Sequence, residues 1–273
     1  MPTSELLADY VLASAIRYAK SAGTVLLDRP DKLEIATKST DTDVVTHMDK
    51  LAEQIIVDGI TKDFPNDGIM GEEGADVVST SGYHWIIDPL DGTINYLYGL
   101  PAWSVSVARV DIHTGDAQVG VVYAPAMNLL YFAKAGHGAF MNDHPTPLRV
   151  NECQQLSQAL VGTGFGYDAN RRAGQARVLT AVLPKVRDIR RIGSCALDLC
   201  FVAQGLLDMF FERGVNPWDH AAGGLIAREA GAIVSGLRES NESNEMLLAT
   251  NRYLHTEICS LLESVSADSD LAI

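Results

Sequence analysis

Apolar residues that recur every three or four positions predict two helices near the N-terminus. The first covers residues 7–26 and ends before Pro30, and the second begins near Thr46 and ends around Phe64. Thr46 is followed three residues later by Asp49, which matches a capping box at the start of the second helix. The chain is therefore predicted to open with a pair of amphipathic helices.

Strands are predicted between these helices and the middle of the chain. Residues 84–87 form a short apolar run, and residues 104–110, 117–123 and 129–133 alternate or run apolar, with turn residues between them. This spacing predicts an antiparallel meander.

Strand and helix patterns alternate beyond residue 150, as a layered α/β arrangement requires. Strands are predicted at 159–162, 209–211 and 232–235, and helices at 173–183, 195–203 and 221–230. No Pro/Gly/Ser linker separates the halves, and no internal repeat is present. We predict one domain over 1–273, with an N-terminal α+β subdomain (1–150), a C-terminal α/β subdomain (151–263) and a frayed tail (264–273).

Composition narrows the class of protein. Of 273 residues, 47% are hydrophobic and 21% are charged, which is typical of a globular protein. The net charge of −14 argues against nucleic acid as a partner, and it would repel an anionic substrate unless cations intervened. The long uncharged stretch 92–108 contains Gly, Pro, Asn and Ser, so no membrane span is predicted.

The cysteines and the first residues of the chain indicate the cellular compartment that we expect for this protein. Cys153, Cys195, Cys200 and Cys259 form no CxxC pair, which favours free thiols in a reducing setting. The first residues lack the basic and apolar regions of a secretory signal. We expect a cytoplasmic protein.

The most informative segment is a short apolar strand that ends in Asp88 and Asp91. Their carboxylates can converge with the Leu90 carbonyl, and such oxygen-only donors suit Mg²⁺ or Mn²⁺ better than zinc. The backbone amides of Gly92 and Thr93 then open toward a helix start, where an anion can bind. The structural alternative is a plain Asp-Gly turn.

Other acidic residues have both a chemical and a structural interpretation. Glu72 lies on a glycine-flanked loop, whose alternative is an acidic surface turn. Asp219 lies at the mouth of a predicted helix, where it could serve as an N-cap, and Asp49 has its role in the capping box.

Together, residues 71–73, 88–95 and 218–223 resemble the inositol monophosphatase family of metal-dependent, lithium-sensitive phosphatases. The resemblance extends from Lys38 to Gly231 with motif order and spacing intact. It implies an α/β fold built as a five-layered αβαβα sandwich, similar to fructose-1,6-bisphosphatase, and a homodimer.

The same resemblance implies a set of site residues. The metal ligands would be Glu72, Asp88, the Leu90 carbonyl, Asp91 and Asp219. The catalytic residues would be Glu72, Thr93, Asp49 and Lys38. The substrate-binding residues would be Gly92, Thr93, Gly193, Ser194, Cys195, Glu212 and Asp219. Thr93 and Asp49 would form a hydrogen-bonded pair near the attacking water. Four carboxylates and a phosphate dianion sum to about −6, which calls for two or three Mg²⁺, with Mn²⁺ as a substitute.

The expected activity is hydrolysis of myo-inositol 1-phosphate, or a related inositol or sugar phosphate, to free alcohol and phosphate by metal-activated water. No GxSxG nucleophile elbow is present, and residues 94–96 resemble the inositol branch. Cys195 stands where animal members usually have Ala, and Glu212 has the alternative of a surface acid paired to Arg213. Histidinol phosphate, fructose 1,6-bisphosphate and 3′-phosphoadenosine nucleotides remain alternative substrates. An RNA-polymerase-associated binding factor remains an alternative of another class.

Overall fold

The computed structural model describes residues 6–38 and 44–269. Its helices are α1 (Tyr10–Leu27), α2 (His47–Asp63), α3 (Thr93–Leu97), α4 (Ala169–Val182), α5 (Cys195–Ala203), α6 (Pro217–Glu229) and α7 (His255–Ser264). The strands of the N-terminal half are β1 (Ile35–Thr37), β2 (Val44–Thr46), β3 (Gly68–Gly71), β4 (Asp76–Val77), β5 (Tyr83–Asp91), β6 (Ser104–Asp111), β7 (Ala117–Ala124), β8 (Leu129–Lys134) and β9 (Ala139–Met141). Those of the C-terminal half are β10 (Leu160–Thr163), β11 (Asp188–Arg190), β12 (Met209–Glu212), β13 (Ile233–Ser235) and β14 (Leu247–Thr250).

A seven-stranded sheet has the order β4-β3-β5-β6-β7-β8-β9. Strands β5 to β9 pair antiparallel in sequence order, as the predicted meander requires, while β3 lies parallel to β5. Because β3 and β5 are parallel, the loop after β3 and the end of β5 lie at the same edge of the sheet.

A five-stranded sheet has the order β11-β10-β12-β14-β13. Strand β10 is parallel to both of its neighbours, and β14 is antiparallel to β12 and β13. Strand β12 is buried on both faces: Phe210 belongs to one hydrophobic core, while Met209 and Phe211 belong to another. The alternation follows from the two-residue period of a strand.

In the described residues, three hydrophobic cores fill the spaces between five layers, and one of these cores contacts both faces of the central helix layer. Helices α1 and α2 pack on one face of the seven-stranded sheet, α5 and α6 lie between the two sheets, and α4 and α7 cover the outer face of the five-stranded sheet. The layered α/β sandwich expected from the sequence is confirmed. Within the described residues, no helix combines the length and apolar character that crossing a membrane requires.

The helix predictions hold closely, and the N-terminus of α2 shows why. Asp49 Oδ2 accepts a hydrogen bond from Thr46 N at 2.8 Å, and Thr46 Oγ1 accepts one from Met48 N at 3.1 Å. This is the predicted capping box, which satisfies amide groups that a helix start leaves without partners. Strands β1 to β4, β9, β11 and β14 and helix α7 have no counterpart among the predicted elements.

The predicted fraying of residues 264–273 is wrong for residues 264–269. Ala267 is 4% exposed in the outermost core, and the Asp268 carboxylate bonds to Arg238 Nε at 2.8 Å. The polar composition of this segment gave no indication of the burial of Ala267 or of the Asp268–Arg238 ion pair, because both contacts are made with residues distant in the sequence. Residues 270–273 lie outside the described residues.

Candidate functional site

A cavity of about 470 Å³ opens beside the end of β5, the start of α5 and the start of α6. Of the residues predicted to form a site, the structure brings twelve together on its wall: Lys38, Glu72, Asp88, Leu90, Asp91, Gly92, Thr93, Gly193, Ser194, Cys195, Glu212 and Asp219. The thirteenth, Asp49, is buried behind Thr93, to which it is hydrogen bonded.

The end of β5 places Asp88 and Asp91 on this wall. The register between β5 and β6 shifts between these two residues, so the strand is irregular where the acids lie. Asp88 Oδ1 accepts a bond from Leu90 N at 2.9 Å, and Asp91 Oδ2 accepts bonds from Ser194 Oγ at 2.5 Å and Ala196 N at 2.8 Å. These bonds hold one oxygen of each carboxylate and so orient the other.

Glu72 lies on the loop that follows β3, the parallel neighbour of β5. Its amide donates to Ile87 O at 3.2 Å, and its Oε1 accepts a bond from Lys38 Nζ at 2.9 Å. Lys38 Nζ also bonds to Glu73 Oε1 at 2.5 Å. Burial lowers the pKa of Lys38, but the two glutamates outweigh it, so the pKa lies above its usual value. Burial raises the pKa of Glu73 to about 7 against the opposing effect of Lys38.

Asp219 lies in the first turn of α6, where Asn216 is the N-cap. Asp219 Oδ2 accepts a bond from Asn216 N at 2.6 Å, so Asp219 is the third helical residue of a capping box. The alternative of Asp219 as the N-cap itself is therefore wrong by three positions. The capping role and the position on the cavity wall coexist in one side chain.

The carboxylates on this wall repel one another. Burial raises the pKa of Asp88 and of Asp219 well above the usual value, and the charges of the neighbouring acids raise both further. Burial likewise raises the pKa of Asp91 to about 6, although its bonds to Ser194 and Ala196 oppose the shift. A cluster of this kind is stabilised either by protons or by a bound cation.

The donor set fits a hard divalent cation. Carboxylate and carbonyl oxygens are the ligands that Mg²⁺ and Mn²⁺ prefer. In the described part of the chain, no three His, Cys, Asp or Glu side chains already converge in the geometry of a metal site. Each of three acids has one oxygen in a hydrogen bond: Glu72 with Lys38, Asp91 with Ser194, and Asp219 with Asn216.

Thr93 begins the short helix α3 and joins two parts of the site. Its Oγ1 lies 3.1 Å from Asp49 Oδ1 and 3.0 Å from Leu90 O. The hydroxyl has one hydrogen, so it donates to one of these acceptors at a time. Gly92 precedes it with φ of 94°, and a Cβ there would lie 3.0 Å from Ala102 O and 3.1 Å from Gly193 O. Only glycine fits this close approach of three backbone segments.

The residues expected to meet the alcohol part of a substrate also line this cavity. Cys195 is 7% exposed, and burial raises the pKa of its thiol well above the usual value, so it is a neutral wall residue. Glu212 lies against Gly164, where a Cβ would come within 1.9 Å of Glu212 Oε2. Burial raises the pKa of Glu212 to about 7, and the charge of Arg191 opposes that shift.

Sequence reasoning gave no site role to five charged residues around the cavity. Asp168, Arg171, Arg191 and Asp198 line the cavity, and Glu53 lies behind the loop that carries Glu72. Asp198 is a lone acid in the otherwise apolar helix α5, and Glu53 lies one helical turn after Asp49 on α2. The lone acid in an apolar helix and the four-residue spacing from Asp49 are the sequence patterns from which Asp198 and Glu53 could have been predicted.

Comparisons with known proteins identify the family of this chain. The profile of the inositol monophosphatase family matches residues 7–267. The chain belongs to the inositol monophosphatase family. That family comprises metal-dependent phosphatases of small phosphate esters.

Two relatives and one solved structure show how close the similarity is. An inositol-1-monophosphatase SuhB of Mycobacterium tuberculosis is 47% identical over 208 residues, which cover 73% of this chain and 71% of the relative. A Nus factor SuhB of Pasteurella multocida is 44% identical over 230 residues, covering 82% of this chain and 84% of the relative. The crystal structure of the extragenic suppressor protein SuhB of Bartonella henselae superposes with a TM-score of 0.86 at 32% identity, covering 93% and 98% of the two chains.

Proposed function

We propose that this protein is a Mg²⁺-dependent phosphomonoesterase that hydrolyses myo-inositol 1-phosphate or a related inositol or sugar phosphate. The observation that carries the proposal is that Glu72, Asp88, Asp91 and Asp219 all line one cavity beside the backbone of Gly92 and Thr93. Four carboxylates repel a phosphate group, so a phosphate can bind beside them only when cations lie between it and the carboxylates.

The residues that would hold the cations are Glu72, Asp88, Asp91 and Asp219, with the Leu90 carbonyl, and Mn²⁺ would substitute for Mg²⁺. Bound cations would neutralise the phosphate oxygens and acidify a water molecule. Lys38 would orient Glu72, to which it is bonded at 2.9 Å. The amides of Gly92 and Thr93 would hold the phosphate group.

Thr93 and Asp49 would form a hydrogen-bonded chain with the attacking water. Thr93 Oγ1 would accept a hydrogen bond from the water while donating its own hydrogen to Asp49 Oδ1, 3.1 Å away. Asp49 is 1% exposed, and burial raises its pKa, which makes its carboxylate a stronger base. The pair would thus orient the water and stabilise its partial loss of a proton.

The alcohol part of the substrate would lie against Gly193, Ser194, Cys195 and Glu212, which line the same cavity. The carboxyl of Glu212 would accept hydrogen bonds from substrate hydroxyls. A polyhydroxylated alcohol such as inositol would offer hydroxyl donors to Glu212, whose buried carboxyl would weaken binding if it were left without a partner.

The test is phosphate release from inositol 1-phosphate, fructose 1,6-bisphosphate, histidinol phosphate and 3′-phosphoadenosine phosphate. Each is measured with Mg²⁺, with a chelator, and with Li⁺ added to Mg²⁺. We expect Mg²⁺-dependent release that is highest for inositol 1-phosphate and inhibited by Li⁺. Absence of release from all four with Mg²⁺ or Mn²⁺ would refute the proposal.

A second candidate function rests on the relatives named Nus factor SuhB. A chain that acts only as a polymerase-associated binding factor would co-purify with polymerase and show no Mg²⁺-dependent turnover. Substitution of Asp91 separates the two functions, since it would abolish hydrolysis and leave a binding role on another surface unaffected.

The homodimer expected from the sequence is part of the proposal. Tyr98 and Leu100, which follow α3, are 76% and 53% exposed. Burial of such apolar side chains between two copies would be favourable. Sedimentation equilibrium tests this: a monomer at all concentrations would contradict it.

A further inference from the structure

Glu53 is a buried acid on α2 for which the proposed chemistry has no use. It is 8% exposed, although glutamate is rarely buried without partners. Its partners are backbone amides of the loop after β3: Oε2 accepts a bond from Glu73 N at 2.9 Å, and Oε1 accepts one from Ala75 N at 3.1 Å. Both oxygens of one carboxylate therefore hold the loop that carries Glu72.

The loop is shaped around this carboxylate. A Cβ at Gly71 would lie 2.2 Å from Glu53 Oε2, so a side chain at position 71 would displace the acid. Gly71 N donates to Ala75 O at 2.7 Å and closes the loop, while Glu72 N donates to Ile87 O at 3.2 Å and ties it to β5. With the two bonds to Glu53, the backbone on both sides of Glu72 is fixed.

Helix α2 also carries Asp49, one turn before Glu53. Residues four apart lie on the same face of a helix. Asp49 accepts the bond from Thr93 Oγ1, whereas Glu53 accepts the bonds from the loop of Glu72. One face of α2 therefore supplies Asp49 to the water-orienting pair with Thr93 and also holds the loop that carries Glu72, a proposed cation ligand.

We propose that Glu53 is a positioning residue that holds Glu72 in place to bind a divalent cation. It acts through the backbone of residues 71–75 and touches neither substrate nor cation. This inference rests on the proposed function, because it assumes that Glu72 is a cation ligand. Outer-shell partners of metal ligands change metal affinity by about 10-fold to 100-fold when removed.

The experiment is calorimetric titration of Mn²⁺ into the wild type, Glu53→Gln, Glu53→Asp and Asp58→Asn. We expect Glu53→Gln to bind Mn²⁺ about 10-fold to 100-fold more weakly, because its amide group cannot accept from both loop N–H groups. Glu53→Asp keeps the charge but shortens the side chain, and we expect comparable weakening. Asp58→Asn removes one charge from an exposed position of the same helix, and we expect wild-type affinity.

Each outcome distinguishes the alternatives. Wild-type affinity in Glu53→Asp with weak binding in Glu53→Gln would show a charge effect and overturn the positioning role. Wild-type affinity in both would also overturn it. Absence of Mn²⁺ binding and of turnover in the wild type would instead refute the proposed function.

Amide hydrogen exchange of the wild type provides a test that needs no variant to fold. We expect the amides of Glu73 and Ala75 to be protected, because each donates to the buried carboxylate. Exchange at the rate of an open loop would overturn the proposal. Thermal melting in chelator then shows whether the Glu53 variants are folded before their Mn²⁺ affinities are compared.

Discussion

At the scale of single residues, Asp91 combines two roles in one carboxylate. One oxygen is tied to Ser194 and Ala196 at the start of α5, and the side chain lines the cavity among other acids. A neutral isostere preserves the first role and removes the charge needed for the second.

We therefore expect Asp91→Asn to lower Mg²⁺-dependent phosphate release by at least about 100-fold, a typical cost for one group that stabilises transition-state charge. The fold should persist, because the Asn side-chain oxygen can still accept from Ala196 N. Far-UV circular dichroism and a melting curve provide the control. Normal turnover in this variant would contradict the assignment of Asp91 as a cation ligand.

Thr93 offers a matched pair of substitutions. Thr93→Val removes the hydroxyl at nearly constant shape, and we expect kcat to fall by about 10²-fold to 10⁴-fold with little change in KM. Thr93→Ser keeps the hydroxyl bonded to Asp49, and most of kcat should remain. Steady-state kinetics measure both, and equal loss in the two variants would point to packing rather than to the hydroxyl.

At the scale of elements, Asp67 joins the segment before β3 to strands β5 and β6. Its carboxylate accepts bonds from Arg109 Nε at 2.7 Å, Trp85 Nε1 at 3.0 Å and Ser81 Oγ at 2.5 Å. Burial raises the pKa of Asp67, but these bonds and the charge of Arg109 outweigh burial, so the pKa lies below its usual value. The ionised carboxylate therefore stabilises the fold.

Because the pKa of Asp67 is lowered in the folded protein, the stability of the fold depends on pH. Since the folded pKa is lower than the unfolded one, the stabilisation is complete above the ordinary Asp pKa and is lost as pH falls through the lower folded value. We expect Asp67→Asn to lower the free energy of unfolding by about 3 kcal/mol at pH 7, since it leaves Arg109, whose side chain is 14% exposed, without its counter-charge. The difference from wild type should shrink below pH 4.

Urea unfolding at pH 7 and at pH 3 measures this effect. Asp188→Asn is the control, because Asp188 pairs with Arg190 in an exposed position. Its unfolding midpoint should stay at the wild-type value at both pH values. A destabilisation by Asp67→Asn that is equal at pH 7 and pH 3 would contradict the ionised state of Asp67.

At the scale of the whole molecule, the net charge of −14 is concentrated in part on the cavity wall. A cation that binds the folded state alone stabilises it by about 2.7 kcal/mol at 100 times its dissociation constant. We expect saturating Mg²⁺ to raise the Tm by about 5 °C or more for a chain of this size. NaCl at equal ionic strength should raise it less, and an equal effect of NaCl would indicate screening of surface charge instead.

Local sequence patterns determined the elements and the acid set. The capping box at Thr46, the period of α2 and the apolar runs of the meander all act within a few residues, so they can be read without the fold. The family resemblance rests on the same short segments. It identified every acid on the cavity wall except Asp168 and Asp198.

Other features depend on contacts between distant residues and could not be read from local patterns. Strand β14 has only four residues, and its place between β12 and β13 is set by pairing with strands far away in sequence. Residues 264–269 look like a polar tail, and Ala267 is buried only because the outer core of the five-stranded sheet receives it.

The sequence by itself determined which chemistry this protein carries, because ligand type and charge are properties of the residues. Only the tertiary structure decided how those residues are held. Ser194 reaches Asp91 across 103 positions of the chain, and Glu53 reaches the amides of Glu73 and Ala75 across 20 and 22 positions. Such bonds form when packed layers bring distant segments together, and no period or spacing along the chain encodes them.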